Sequence, residues 1–189
     1  MKRLICCAAV LFMIVAVATA AVAQTDVLGL YFSDTEFTAD TAHAQNSPGF
    51  MLACYIVLTN PTGTTVHGYE VGITSTAADF TVLYLPIFDT NEGTDTNQIV
   101  TFGTPMPVQA GGTVLSPIFI GTDSTEIETI AFGAADPSRV TGDVPGVDYG
   151  SGPLVACNLP FGVPEVAWLN GAVVPAERTA WGSIKSLFR

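Results

Sequence analysis

From Asp26 to Leu169 the chain is broken by turn-forming residues every ten to fifteen positions, and the runs between them are short, apolar and rich in β-branched and aromatic residues. That punctuation leaves room for strands and little for helices of ordinary length. Phe50 to Thr59 (FMLACYIVLT) is apolar on both parities and stops at Asn60-Pro61-Thr62-Gly63, which predicts a central strand buried on both faces and then a turn. Val66 to Thr74 sets Tyr69, Val71 and Ile73 against Glu70, Gly72 and Thr74, the alternation of a half-buried strand; the two segments suggest a hairpin. Further strands are predicted over Asp26 to Phe32, Phe80 to Ile87, Gln98 to Phe102, Thr113 to Ile120, Glu126 to Phe132, Leu154 to Leu159 and Glu165 to Leu169, eight or nine in all. No stretch before residue 176 carries helical apolar spacing, so the expected fold is an all-β antiparallel sandwich. Ala134 to Ser151, with its glycines, prolines and aspartates, reads as a long loop.

The two ends differ from the middle. Met1-Lys2-Arg3, the apolar run Leu4 to Val17 and the small residues Ala21-Val22-Ala23 have the three-part plan of a secretory signal peptide over residues 1–23, with export to the periplasm, cell surface or medium as its consequence. The apolar run is short for a membrane span and no second one follows. A sandwich domain is expected over residues 24–176 and a tail over residues 177–189. In the tail, Trp181, Ile184 and Phe188 recur at i, i+3 and i+7, one face of a short helix capped by Thr179, with Lys185 and Arg189 at its negative end. Two turns of helix have no stability of their own, so that face is expected to dock on the sandwich or a partner, or to be read as a sorting signal.

Charge narrows the partners. The formal net charge of −11 becomes −13 once Lys2 and Arg3 leave with the leader, and the remaining cations are Arg139, Arg178, Lys185 and Arg189. Such a surface repels phosphate backbones and anionic headgroups, which excludes nucleic acid and the lipid surface as partners. Of the four cysteines, Cys6 and Cys7 lie in the leader; Cys54 and Cys157 remain in a chain bound for an oxidising compartment, so a disulfide between them is expected.

Catalytic motifs are sparse. His43 and His67 have no nucleophile in their sequence context, and the chain lacks a G-x-S-x-G elbow, an H-E-x-x-H and a P-loop. Asp79, Asp89 and Glu92 are the carboxylates a glycosidase would draw on, but they sit in or beside turns. The run from Asp89 to Asn97 places oxygen-bearing side chains around Gly93, and Asp89, Asn91 and Asp95 are its calcium candidates; those residue types also form plain turns, which is the first expectation. Tyr31, Tyr55, Tyr69, Tyr84, Trp168 and Trp181 fall in apolar runs that a core role explains, and only Tyr149, among Asp148, Gly150, Ser151 and Gly152, reads as an exposed aromatic for a glycan.

GLYF near the mature start, YIVLTNP followed by GYE, AWLNG and the terminal WGSIKSLFR together resemble a group of uncharacterised secreted bacterial proteins that share the tail pattern WGxxKxL-aromatic-R. The VLTNP-then-GYE arrangement is similar to cohesin-like and other immunoglobulin-like bacterial sandwiches, a resemblance that implies fold and not activity. The expectation is a secreted, non-catalytic structural or interaction module with a protein or glycan partner and no cofactor, and Trp181, Ile184, Lys185, Phe188 and Arg189 as its interaction tail. The alternative is a glycan- or calcium-binding module.

Overall fold

Leu52–Thr59 (β3) takes the middle of a sheet because both of its faces have apolar cover. Cys54, Ile56 and Leu58 point into the main core, whereas Val57 points the other way and is buried under a separate small cluster. The computed structural model describes residues 24–85 and 89–171, and within them β3 belongs to a four-stranded antiparallel sheet. That front sheet runs Val27–Tyr31 (β1), β3, Thr113–Gly121 (β8), Thr81–Tyr84 (β5). The back sheet is centred on Thr65–Ser75 (β4), eleven residues long. Asn97–Pro107 (β7) lies along one edge of β4 and carries Asp89–Asn91 (β6) outside it. The other edge is shared: Gly146–Asp148 (β10), followed outward by Val155–Ala156 (β11), takes Gly68 to Glu70, and Glu128–Gly133 (β9) takes Gly72 to Ser75. Beyond β9 come Glu165–Leu169 (β12) and the parallel pair His43–Ala44 (β2).

The inward residues of both sheets close on one another: Leu28, Leu30, Ile56, Leu58, Ile118 and Ile120 from the front, Tyr69, Val71, Ile130 and Phe132 from the back. The strand count exceeds the expected eight or nine because β2, β6 and β10 are two or three residues long, too short for a periodicity to register.

Two local expectations are corrected. β3 and β4 do not form a hairpin; the Asn60 to Thr64 turn carries the chain from the front sheet to the back one, since β1 and β8 already occupy both edges of β3. Asn60 adopts φ 50°, and the buried Asp26 carboxylate accepts from the Thr62 N–H (2.8 Å) and hydroxyl, which pins the crossing. The Ala134 to Ser151 segment is no plain loop. It supplies β10 and is held by Glu70, whose Oε1 accepts from the Arg139 N–H (2.8 Å), the Val140 N–H (3.1 Å) and the Ser138 hydroxyl (2.9 Å), while Oε2 accepts from the Arg139 guanidinium at 3.0 Å. Glu70 sits on the parity expected to face water, yet that segment buries it completely.

Candidate interaction surface

Alternation along the front sheet sends Leu28, Leu30, Cys54, Ile56, Val82, Tyr84, Ile118 and Ile120 inward, so Tyr31, Ala53, Tyr55, Leu83, Pro117 and Phe119 face out. A bulge in β8 opposite Ile56 and Val57 resets the parity and turns Val114 outward as well. Half of this outer face is covered: Phe37 and Ala42, carried on the segment around the 3-10 turn Asp40–Ala42, pack with Trp168 over Tyr31, Val57 and Val114. The other half has no cover among the described residues. Ala53, Phe119 and Leu83 stand in one row across three strands, and in the next row Tyr55, beside Pro117, packs against the covering cluster. Leu83 is 42% exposed, Leu85 40%, Met51 39% and Phe50 70%.

A groove lies on either side of that row, along the strands. One, of about 620 Å³, lies between Asp34, Phe37 and Gly112 over Tyr55 and Pro117. The other, of about 250 Å³, is floored by Gly121 and Thr81, walled by Phe50 and Met51, and edged by Asp79 and Asp123. Val114 and Gly121, one in each groove, are seven residues apart on β8, so the grooves are separated by roughly 23 Å at about 3.3 Å per residue and the open face lies between them. Its rim is acidic. Asp79 accepts from the Thr122 hydroxyl and the Asp123 N–H, each at 2.6 Å, and those donors hold its carboxyl below the usual carboxylate range.

The residues singled out for other chemistry are scattered or engaged. Asp79 precedes β5, whereas Asp89 lies beyond its far end, taking a 2.5 Å bond from the Tyr84 hydroxyl; the pair does not converge as a glycosidase needs. Glu92 joins the β6–β7 turn through its backbone N–H to Ile99. Of the calcium candidates, the Asn91 carboxamide oxygen is consumed by the Gly93 and Ile99 N–H groups, 3.0 Å each, and its amide donates to the Thr94 carbonyl. Asp95 contributes its backbone carbonyl to the Gln98 side chain. No trio of histidine, cysteine or acidic side chains is grouped to hold a metal among the described residues.

Cys54 and Cys157 are both buried free thiols, and no bridge joins them. Sheet geometry explains this correction. β1 pairs with β3 so that Tyr31 meets Tyr55, which sets Cys54 near Phe32; Asn158 bridges Val27, which sets Cys157 near Asp26. Six residues along a strand is roughly 20 Å, far beyond the Cα separation of about 7 Å that a disulfide spans. Burial pushes both thiols up, Cys157 further under the Asp26 charge. Tyr149 is likewise not an exposed aromatic: it packs against the core and its hydroxyl donates to Asp26. Trp168 stacks on His43 at 4.8 Å and meets Phe161 at 5.2 Å, so its ring is already engaged. His67 lies against Gly150. Residues 1–23 and the tail residues Trp181, Ile184, Lys185, Phe188 and Arg189 lie outside the described residues.

The open face was missed by sequence reasoning, although its signal was there. An apolar run on both parities means cover on both faces, and for β3, β8 and β5 the described residues supply the second cover over only part of the sheet. No helix among the described residues is long and apolar enough to cross a membrane.

No protein-family model matches the chain, and no curated protein matches it. Among solved structures it is similar to the sixth cohesin of scaffoldin B from Acetivibrio cellulolyticus, solved in complex with a dockerin, at 10% identity and a TM-score of 0.48 over 78% of this chain and 99% of that one. It is similar also to the second type II cohesin module of an adaptor scaffoldin from the same organism, at 12% identity and a TM-score of 0.48 over 84% of this chain and 96% of that one.

Proposed function

We propose that this protein is an exported, non-catalytic protein-interaction module that docks its partner on the open half of the front sheet. The observation that carries the reading is the Ala53–Phe119–Leu83 row with Leu85, Met51 and Phe50 exposed around it. Contiguous apolar surface on a sheet face is costly to leave in water and marks a contact site, above all where aromatics and methionine contribute to it. The flanking Asp34, Asp79 and Asp123 add a requirement for cationic groups around an apolar centre in the partner. Support for export is the basic, apolar and small-residue sequence of residues 1–23.

The test uses the mature chain as bait for proteins exported by the cells that make it, with Leu83→Asp and Phe119→Asp compared against Thr129→Asp on the back sheet. Loss of one specific companion from both front-sheet variants, at least tenfold, and its retention by the back-sheet control is the expected result. An unchanged set of companions in the front-sheet variants removes the surface from consideration.

A further inference from the structure

The described residues end beside the smaller groove. Gly171 is the last described residue; its carbonyl accepts from the Gln45 side chain, and Asn170 Oδ1 accepts from the Asn46 N–H at 2.9 Å. Asn46 in turn donates its side-chain amide to the Thr122 carbonyl at 2.5 Å. Thr122 lines the groove, so two side chains separate Gly171 from the Phe50 and Met51 wall. The exposed Ile127 approaches Gly171 from the other side.

Eighteen residues follow, 172 to 189, and Trp181 is ten positions beyond Gly171. Ten residues can span up to about 33 Å, more than the length of the whole open face. The segment matches the groove in chemistry as well. Trp181, Ile184 and Phe188 recur at i, i+3 and i+7, an apolar stripe of the size Phe50, Met51 and Leu83 leave uncovered. Arg178, Lys185 and Arg189 are three of the four cations that follow the leader, against a single acid in the segment, Glu177. Residues 24 to 171 carry the complementary excess, sixteen carboxylates to one arginine, and two of those carboxylates, Asp79 and Asp123, edge the groove.

Resting on the surface reading above, we propose that the C-terminal segment of the same chain is an intramolecular occupant of this groove, with the Trp181, Ile184 and Phe188 stripe laid on Phe50, Met51 and Leu83 and its cations toward Asp79 and Asp123. Tethering so near its site gives the segment an effective concentration in the millimolar range, so weak contacts suffice to keep it seated. The segment and an external partner then compete for one surface, and occupancy by the partner requires the tail to be displaced.

Replacing Phe188 by a photoreactive benzoylphenylalanine in the mature chain, at low micromolar concentration, tests the assignment. Irradiation is expected to give an adduct within one monomer, mapped by mass spectrometry to Phe50, Met51 or residues 79–85 or 121–123. Joint Asp79→Lys and Asp123→Lys substitution should lower its yield severalfold while circular dichroism shows the fold intact. Adducts between two chains, adducts elsewhere on the sandwich, or none from a folded protein overturn the proposal. Capture of the external companion reports separately: if Leu83→Asp abolishes it in a chain that gives no tail adduct, the surface reading stands and only its occupant is wrong. If capture is unaffected by Leu83→Asp, the surface reading itself falls whatever the adduct shows.

Discussion

Burial governs Cys54, Cys157 and four of the five tyrosines more than any chemistry they could perform. Cys54 directs its thiol to the Ile118 carbonyl at 3.7 Å in the core, and Cys157 to that of Val155 at 3.9 Å. A thiol held protonated in an apolar site is a poor nucleophile, so iodoacetamide should label neither cysteine in the folded mature protein and both after denaturation, without reductant. A linked Cys54–Cys157 peptide in the non-reduced digest would contradict the strand register. Tyr31, Tyr69, Tyr84 and Tyr149 all have phenols raised by burial, and for Tyr84 and Tyr149 the bonds to Asp89 and Asp26 raise them further. A group whose folded pKa is raised adds stability that is complete below its unfolded value of about 10 and is lost as pH climbs through the folded one. Phenolate absorbance from these four should therefore lag that of free tyrosine and rise together with loss of the near-ultraviolet circular dichroism. Normal titration of Tyr84 and Tyr149 near pH 10 in a still-folded chain, read as the absorbance lost in Tyr84→Phe and Tyr149→Phe, would contradict their bonds to Asp89 and Asp26. The cysteine error is instructive: composition and compartment say that two thiols are available, but only register says whether they meet.

At the scale of elements, legibility followed segment length and the number of covered faces. β3, β4, β8 and β9 were readable because five or more residues of alternating or continuous apolar character outweigh local noise. β10 was unreadable: three residues in a run of glycines, prolines and aspartates are a strand only because the Gly68 to Glu70 edge of β4 is there to pair with them. The Glu70 clasp makes that dependence measurable. Glu70→Ala strips an acceptor from three backbone or hydroxyl donors and one guanidinium; with Arg139 half in solvent, most of the loss is in those fixed donors, roughly 2 to 4 kcal/mol in stability. Arg139 is also the single Lys or Arg between residues 24 and 171, hence the one tryptic site of the sandwich. Trypsin should leave the wild-type sandwich whole and cut the variant after Arg139 well below its melting temperature. Resistance equal to wild type would mean that β10 pairing alone holds the segment. The hairpin expectation failed for the opposite reason, since a turn signal states that the chain reverses but not whether it returns to the same sheet or crosses to the other.

For the whole molecule the dominant fact is an acidic sandwich joined to a cationic tail. Several of its carboxylates serve as acceptors for the loops: Asp26 for the Thr62 turn, Glu70 for the Ser138 to Val140 segment, Asp79 for Thr122 and Asp123, and Glu128 for Thr76 and Ser124. Such bonds are short-range and insensitive to salt, whereas repulsion among the sixteen carboxylates is felt across the molecule and is screened as the Debye length falls from about 30 Å at 0.01 M to about 8 Å at 0.15 M. Melting temperature at pH 7 should accordingly rise with sodium chloride over that interval and level off beyond it, when the hydrogen-bonded acceptors are all that remains of the electrostatics. The attraction between tail and groove has the opposite dependence, because salt screens Lys185 and Arg189 from Asp79 and Asp123 as surely as it screens like charges from each other. The same salt series should thus raise the melting temperature while it lowers the yield of the Phe188-position photoadduct. A melting temperature that falls with added salt would show that attraction, and not repulsion, dominates the long-range field of this chain, and would place the weight of its charge at the tail instead of on the sandwich.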